Sequence, residues 1–177
     1  MKRQLFILDK PEELSPRLAS WYSQLVELRS NLLKNLEDVD QELLDFTPDE
    51  RKIETIGTLL LHIAAIEWSW IFEDIDGEEM DFEEWKHAFA LRPSVNIPQL
   101  AGKGMIFYLE RLAKVRDEVY QRLTRMNDSD LDQKVESSDG VRYSIEWILY
   151  HIIEHEALHL GQVSMLKRLY RLKNQAG

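Results

Sequence analysis

Apolar residues recur at intervals of three and four along most of the chain, which is the pattern of helices that bury one face. The first run contains Leu18, Trp21, Leu25, Leu28, Leu32, Leu36 and Val39. Ser15 and Pro16 precede it and suit an N-cap and a first helical turn. The pattern therefore predicts a long first helix that begins near Pro16.

A second helix is predicted over 55–73, after a short turn at 48–53. Two starts compete, because residues 47–50 spell a capping box and Thr55 offers a second cap. The run over 59–66 is apolar on every side, which indicates that this helix is buried all round.

Two further helices complete the pattern, over about 100–125 and from Ser144 to about Leu172. A polar turn precedes the last helix, and we find no strand pattern there. The four helices predict one all-α domain covering 1–177, a four-helix bundle with an N-terminal extension at 1–14.

The connection over 74–99 is long for a bundle of this size. Phe82, Trp85 and Phe89 are spaced as on a short amphipathic helix within it. We expect this segment to be a crossover between the second and third helices that serves as a lid or as an interface.

The starts of the second and fourth helices read alike, since 55–63 matches 144–152 and the same register aligns Glu67 with Glu156. Duplication of a helix pair explains the match, and convergence on one cap and core pattern explains it equally well. Duplication would place these two helices in related positions.

Composition limits the function of the chain. Its 177 residues carry a formal net charge of −10, which argues against broad binding to nucleic acid or to an anionic membrane. The absence of cysteine fits a reducing cytoplasm and leaves imidazole and carboxylate as the metal ligands. We find no signal peptide or membrane span, and we expect a cytoplasmic protein.

Three histidines are the strongest chemical signal. His155 and His159 lie four apart on the core-facing stripe of the last helix, so both can bind one ion. His62 lies in the most apolar part of the second helix, and one ion would satisfy all three buried rings. Three imidazoles predict a divalent metal site with an open position, and zinc or nickel suits nitrogen ligands best.

Glu156 lies beside the metal-facing stripe and is a candidate catalytic general base. Glu67 is a second candidate, and both glutamates have a plainer interpretation as solvated carboxylates or as carboxylates that orient histidines. His151 either packs in the core or contacts a metal ligand without binding the ion itself. His87 is expected at the surface.

Two other metalloprotein classes fit less well. The segment from His155 to His159 spells the zinc-protease signature, but Gln162 and Met165 stand where its extended form has glycine and histidine. A di-iron bundle needs paired Glu-x-x-His motifs on core helices, whereas Glu84 and His87 form a single copy in the connection.

At these residues the chain resembles the DinB/YfiT-like superfamily of metal-binding four-helix bundles. The specific motif is His151–Gln162, within 143–169, and 55–70 carries a weaker match. The resemblance implies metal ligands at His62, His155 and His159, and helices in up-down-down-up order. Many members have a histidine and an arginine where this chain has Leu158 and Leu160, so a contact to an anionic substrate is absent here if that arginine supplies one.

Known activities in this superfamily include thiol S-transfer with low-molecular-weight thiols and proposed hydrolase chemistry. The resemblance therefore implies a metal-dependent enzyme that acts on a small molecule. A non-catalytic bundle, metal-stabilised or metal-free, that acts through protein partners or as a homodimer remains the alternative. Trp68, Trp70, Trp147 and Tyr150 are candidates for an apolar substrate wall or for core packing.

Overall fold

The computed structural model describes residues 6–48, 53–90, 97–137 and 140–175. The described chain is mostly helical, which confirms the predicted fold class. Its α-helices are α1 (Pro16–Leu36), α2 (Gln41–Leu44), α3 (Ile56–Trp68), α4 (Phe82–Trp85), α5 (Met105–Leu123) and α6 (Ile145–Gln175). A π-helical turn over Ser69–Glu73 continues α3, and a 3₁₀ turn over Lys86–Phe89 continues α4. Another 3₁₀ turn covers Asp130–Asp132.

Polar contacts show how the long helices run. Arg17 of α1 contacts Glu146 of α6 at 2.9 Å, and Asn35 contacts Ser164 at 2.7 Å. The sequence separation is the same for both pairs, so α1 and α6 run in the same direction. A continuous cluster of buried apolar side chains from α1, α3, α5 and α6 forms the core.

α3 begins at Ile56 with Thr55 as its N-cap residue, which is the second of the two starts that the sequence offered. The Thr55 hydroxyl accepts a hydrogen bond from the Thr58 backbone N–H at 3.1 Å, which is N-capping geometry. Residues 49–52 of the competing capping box lie outside the described residues. Gly57 allows α5 to approach, because a Cβ there would lie 2.6 Å from the Tyr108 hydroxyl oxygen.

Two boundaries differ from the prediction. α5 begins at Met105 and not near residue 100, because Gly102 has a φ of 72° and Gly104 is the extended N-cap residue. The prediction that no strand precedes the last helix is wrong. β1 (Lys134–Glu136) and β2 (Arg142–Ser144) form an antiparallel hairpin, and strands of three residues are too short for a visible alternation.

Within the described residues, one helix is long and apolar enough to span a membrane by composition, over Ile56–Glu73. Of that stretch, 67% is buried inside the bundle. Burial of this extent fits the central helix of a soluble globular protein.

Candidate metal centre

The structure brings the three predicted histidines together. Nε2 of His155 lies 3.2 Å from Nε2 of His62 and 3.0 Å from Nε2 of His159. The three potential ligand atoms all lie within 4.8 Å of one another. His62 comes from the middle of α3 and the other two come from successive turns of α6. We call this group the imidazole cluster.

The outer nitrogens of two rings are held by oxygen acceptors. Nδ1 of His62 lies 2.9 Å from the Ala88 carbonyl oxygen, and Nδ1 of His159 lies 2.5 Å from Oε1 of Gln162. Both oxygens accept hydrogen bonds, so each Nδ1 carries the proton and each Nε2 presents a lone pair. Nε2 of His155 carries one proton at most and cannot donate to both neighbours. A cation among the three Nε2 atoms removes this conflict.

The spacing of the nitrogens also fits a metal ion. Imidazole nitrogens bind zinc at about 2.0–2.1 Å, so two ligands at 90–110° lie roughly 2.9–3.4 Å apart. The two Nε2 distances in the cluster, 3.0 and 3.2 Å, fall within that interval. A hydrogen bond to the far nitrogen of a ligand histidine is typical of metal sites. The residues present therefore fit a divalent ion.

Burial favours the neutral form of His155 and His159, which is the form that binds metals. Burial, reinforced by His159 and His62, lowers the pKa of His155 to about 3. Burial likewise lowers the pKa of His159, although the hydrogen bond to Gln162 opposes the shift.

A second polar cluster lies in the core of the bundle, with one residue from each long helix. Arg29 donates from Nε and Nη2 to the two oxygens of Glu156, at 2.6 and 3.1 Å. Arg116 donates in the same way to Glu67, at 2.5 and 3.1 Å. Each arginine also reaches the other glutamate, at 2.8 and 2.9 Å. We call this group the ion network.

The ion network is buried and balanced. Its side chains are 1–9% exposed, and its two positive and two negative charges cancel. Arg29 also donates to the Leu112 carbonyl oxygen at 3.0 Å, while Nη1 of Arg116 has no hydrogen-bond partner among the described residues. Burial alone would raise the pKa of Glu67, but the charges of Arg116 and Arg29 and their hydrogen bonds hold it below the ordinary value.

The structure gives both glutamates arginine partners that the sequence pattern did not indicate. Glu156 follows His155 on α6, is 1% exposed, and accepts hydrogen bonds from arginine at both of its oxygens. Its role as general base stays a prediction, and these contacts give it an evident structural task. Glu67 and Glu156, which the repeated segment aligned, do occupy equivalent places in one network.

Histidines outside the cluster have other surroundings. His151 stacks on Trp147, with ring centroids 4.9 Å apart, and meets Trp70 edge-on at 5.1 Å. His87 contacts the Pro98 carbonyl oxygen at 2.9 Å on the partly exposed connection. The same connection supplies Ala88 to His62, so it lies over one side of the imidazole cluster.

Sequence reasoning did not single out Arg29, Arg116 or the task of Gln162. A signal for the arginines was present, because Arg29 interrupts the apolar stripe between Leu25 and Leu32. A charged residue at a core-facing position needs a buried partner of opposite charge. The Ala88 carbonyl had no signal, since only the fold brings the connection to His62.

The chain belongs to the DinB superfamily, whose sequence pattern matches residues 24–163. It is similar to the uncharacterized protein YizA of Bacillus subtilis (strain 168), at 29% identity over 125 residues, which are 68% of this chain and 67% of that protein. A crystal structure of a conserved protein from Enterococcus faecalis has a similar fold. Its TM-score is 0.63 at 14% identity, over 85% of this chain and 94% of that one.

Proposed function

We propose that this member of the DinB superfamily is a metal-dependent enzyme that acts on a small molecule, with His62, His155 and His159 as the ligands of a divalent ion. The observation that carries the proposal is the convergence of three Nε2 atoms, two of them on rings whose Nδ1 protons are held by oxygen. When bound, the ion supplies a Lewis acid that lowers the pKa of a water molecule or a thiol in an open coordination position.

The protein's own residues have defined tasks in this proposal. Ala88 and Gln162 fix which nitrogen of His62 and His159 faces the ion. Burial keeps His155 and His159 neutral, so neither ring has to lose a positive charge before the ion binds. The connection over 82–90 lies over His62, and we propose that it acts as a lid that limits access of water.

Metal binding is the first test. Protein purified without a histidine tag is titrated with zinc and nickel by calorimetry, and we expect one ion per chain. The H62A/H155A/H159A variant should lose that binding, whereas H87A should keep it. Absence of stoichiometric binding by wild-type protein to zinc, nickel and manganese would overturn the proposal.

Reaction class is the second test. Zinc-loaded protein is assayed with N-acetylcysteine and an aryl chloride for thiol transfer, and with p-nitrophenyl acetate for hydrolysis. If Glu156 is a general base in hydrolysis, E156Q should lower turnover by roughly 10²–10⁴ while fold and metal content persist. If the ion activates a thiol, E156Q should act only through stability. Loss of fold in E156Q would assign Glu156 to the ion network alone.

The partners we propose follow from charge and chemistry. A formal charge of −10 disfavours nucleic acid and anionic membranes as partners. A low-molecular-weight thiol is a candidate substrate because thiols bind well to an open zinc or nickel position. We propose a cytoplasmic location, which the absence of cysteine supports.

One observation favours the alternative of an interaction module. Leu158, Met165 and Leu172 lie at seven-residue intervals on α6 and are 62%, 53% and 52% exposed. That spacing makes an apolar stripe that a second copy of the chain can cover. Sedimentation of wild-type protein and of L158S/M165S/L172S tests this alternative. A dimer that the triple variant disrupts would support it, and a monomeric wild-type protein would contradict it.

A further inference from the structure

An apolar cavity lies between the start of α3 and the C-terminal half of α6. Its volume is about 130 Å³, and its apolar walls are Ile53, Leu59, Met165, Leu166 and Leu169. Leu59 and Leu166 are buried, whereas Ile53 and Met165 are 36% and 53% exposed, so the cavity opens to solvent beside them. We call this cavity the α3–α6 pocket.

The α3–α6 pocket adjoins the imidazole cluster without including any of its rings. Gln162 lines the pocket, and its Oε1 lies 2.5 Å from Nδ1 of His159. Leu59 comes three residues before His62 on α3, so these two side chains are neighbours on the helix surface. Nε2 of His159 points the other way, toward His155. A ligand in the pocket therefore contacts the residue that orients His159 and displaces none of the three Nε2 atoms.

One carboxylate lies among the apolar walls. Glu54 lines the pocket just before the N-cap residue Thr55, and its side chain is half-buried. Burial lowers the pKa of His159, and the hydrogen bond to Gln162 and the charge of Glu54 both oppose that shift. The Glu54 carboxylate is thus close enough to the imidazole cluster to act on one of its rings.

The charge of Glu54 is available to a ligand. Its carboxylate has no ion pair and no hydrogen bond with a described residue. The lysines nearest to the pocket along α6 contact other groups, because Lys167 bonds Asp38 and the Lys173 amine lies 5.3 Å from the centre of the Phe46 ring. A carboxylate that is partly withdrawn from water and unpaired attracts a cation that can donate hydrogen bonds to it.

We propose that the α3–α6 pocket binds a small aliphatic ammonium compound. The ammonium group donates to the Glu54 carboxylate, and an unbranched hydrocarbon chain lies against the apolar walls. The volume of about 130 Å³ holds about four methylene-sized groups at roughly 30 Å³ each. Apolar walls disfavour a polar chain, and the charge of Glu54 disfavours an aliphatic acid. The inference does not rest on the proposed function, because no imidazole takes part in binding.

The first test measures chain length in metal-free protein. Ethylamine, butylamine, hexylamine and octylamine are protonated at pH 7, as a lysine side chain is. They are titrated into protein that carries ¹³C in its methionine methyl groups, and M165L identifies the Met165 resonance. We expect this resonance to shift, with an affinity that rises about fourfold for each buried methylene and levels off beyond about four carbons.

Two results of the chain-length series would overturn the inference. One is amine binding that leaves the Met165 resonance in place while another methionine responds. The other is an affinity that keeps rising at the same rate to octylamine, because a chain held on an open surface has no fixed limit of length.

The second test measures charge, with pentylamine and its neutral analogue pentan-1-ol. A hydrogen bond between charged groups contributes about 1.5–3 kcal/mol, so we expect the amine to bind at least tenfold more tightly. E54Q should bring that ratio close to one. E110Q, which removes an exposed carboxylate of α5, should leave it unchanged. Equal affinity for amine and alcohol in wild-type protein, or a preference that E54Q retains, would contradict the inference.

A zinc titration distinguishes this inference from the proposed function. Zinc binding without pentylamine binding would reject the ammonium site and keep the metal site. Pentylamine binding without zinc binding would keep the ammonium site and reject the metal-dependent function. The H62A/H155A/H159A variant should bind pentylamine as wild-type protein does, and loss of binding there would place the amine at the imidazole cluster and contradict the inference.

Discussion

Neighbouring residues of α6 belong to two polar clusters of opposite design. His155 joins the imidazole cluster, where neutral rings bring nitrogens to 3.0–3.2 Å of each other. Glu156 joins the ion network, where every carboxylate oxygen accepts from at least one arginine. The charges of the ion network compensate one another. The Nε2 lone pairs of the imidazole cluster, in contrast, require a cation from outside the cluster. The comparison separates a cluster that serves the fold from one that is prepared for a ligand.

The largest expected effect comes from breaking the ion network at one residue. E156A leaves Arg29 and Arg116 with less negative charge in the core, and breaking a buried pair typically costs about 3–5 kcal/mol. Urea unfolding of metal-free protein measures the loss. E154A is the control, because its side chain is 55% exposed and the change should stay within about 0.5 kcal/mol. Equal stability of E156A and wild-type protein would contradict the assignment of Glu156 to the network.

Removing the whole network should cost less than breaking it. Replacement of a buried ion cluster by apolar residues of similar volume is often neutral or stabilising by about 1–4 kcal/mol. We therefore expect R29M/E67L/R116M/E156L to unfold at a higher urea concentration than E156A. The same four-residue variant should still bind zinc if the network serves the fold alone. If it unfolds more easily than E156A, the charges contribute more than they cost to bury.

Part of this comparison was accessible from sequence. The helical spacing and the positions of His62, His155 and His159 identified the fold class and a candidate metal site. The task of Glu156 was not accessible, because a helical wheel places it beside the histidines and cannot show that Arg29 and Arg116 approach from other helices. Side chains that meet across the core depend on how four helices dock, and periodicity describes one helix at a time.

The hairpin and the start of α5 were missed for a local reason. Strands of three residues carry no usable alternation, and residues 100–104 contain two glycines that no apolar spacing reveals as a helix start. Turn chemistry at Gly102 and Gly104 outweighed the apolar pattern there.

The next effect concerns the imidazole cluster. A ligand that binds only the folded state stabilises it by about 2.7 kcal/mol at a concentration one hundred times its Kd. We expect zinc at that excess to raise the unfolding free energy of wild-type protein by this amount. H62A/H155A/H159A should show no response, and H87A should respond as wild-type protein does. A zinc response in the triple variant would place the ion elsewhere.

Acid should weaken the ion network through Glu67. Burial would raise the pKa of Glu67, but the charges and hydrogen bonds of Arg116 and Arg29 outweigh it, so the folded-state pKa lies below the ordinary value of 4.5. A carboxyl with a lowered pKa contributes stability that is present above 4.5 and is lost as pH falls through the folded-state value. The unfolding free energy of metal-free protein should therefore fall more steeply between pH 6 and pH 3 in wild-type protein than in E67Q. Parallel declines would contradict the lowered pKa.

The smallest effect sharpens the distinction between the two clusters, because it changes metal binding and leaves the fold alone. Gln162 accepts the Nδ1 proton of His159 at 2.5 Å, which directs the Nε2 lone pair toward His155. Loss of such a partner typically weakens metal binding by about 10–100-fold. Q162L should therefore lower zinc affinity by about tenfold or more in calorimetry, with urea unfolding of the metal-free protein close to wild type. The control is Q24L, which removes the amide that Gln24 donates to the Ser20 carbonyl oxygen on α1. It should leave zinc affinity unchanged. If Q162L binds zinc as tightly as wild-type protein, the ring orientation of His159 is set by packing and Gln162 has no part in the site.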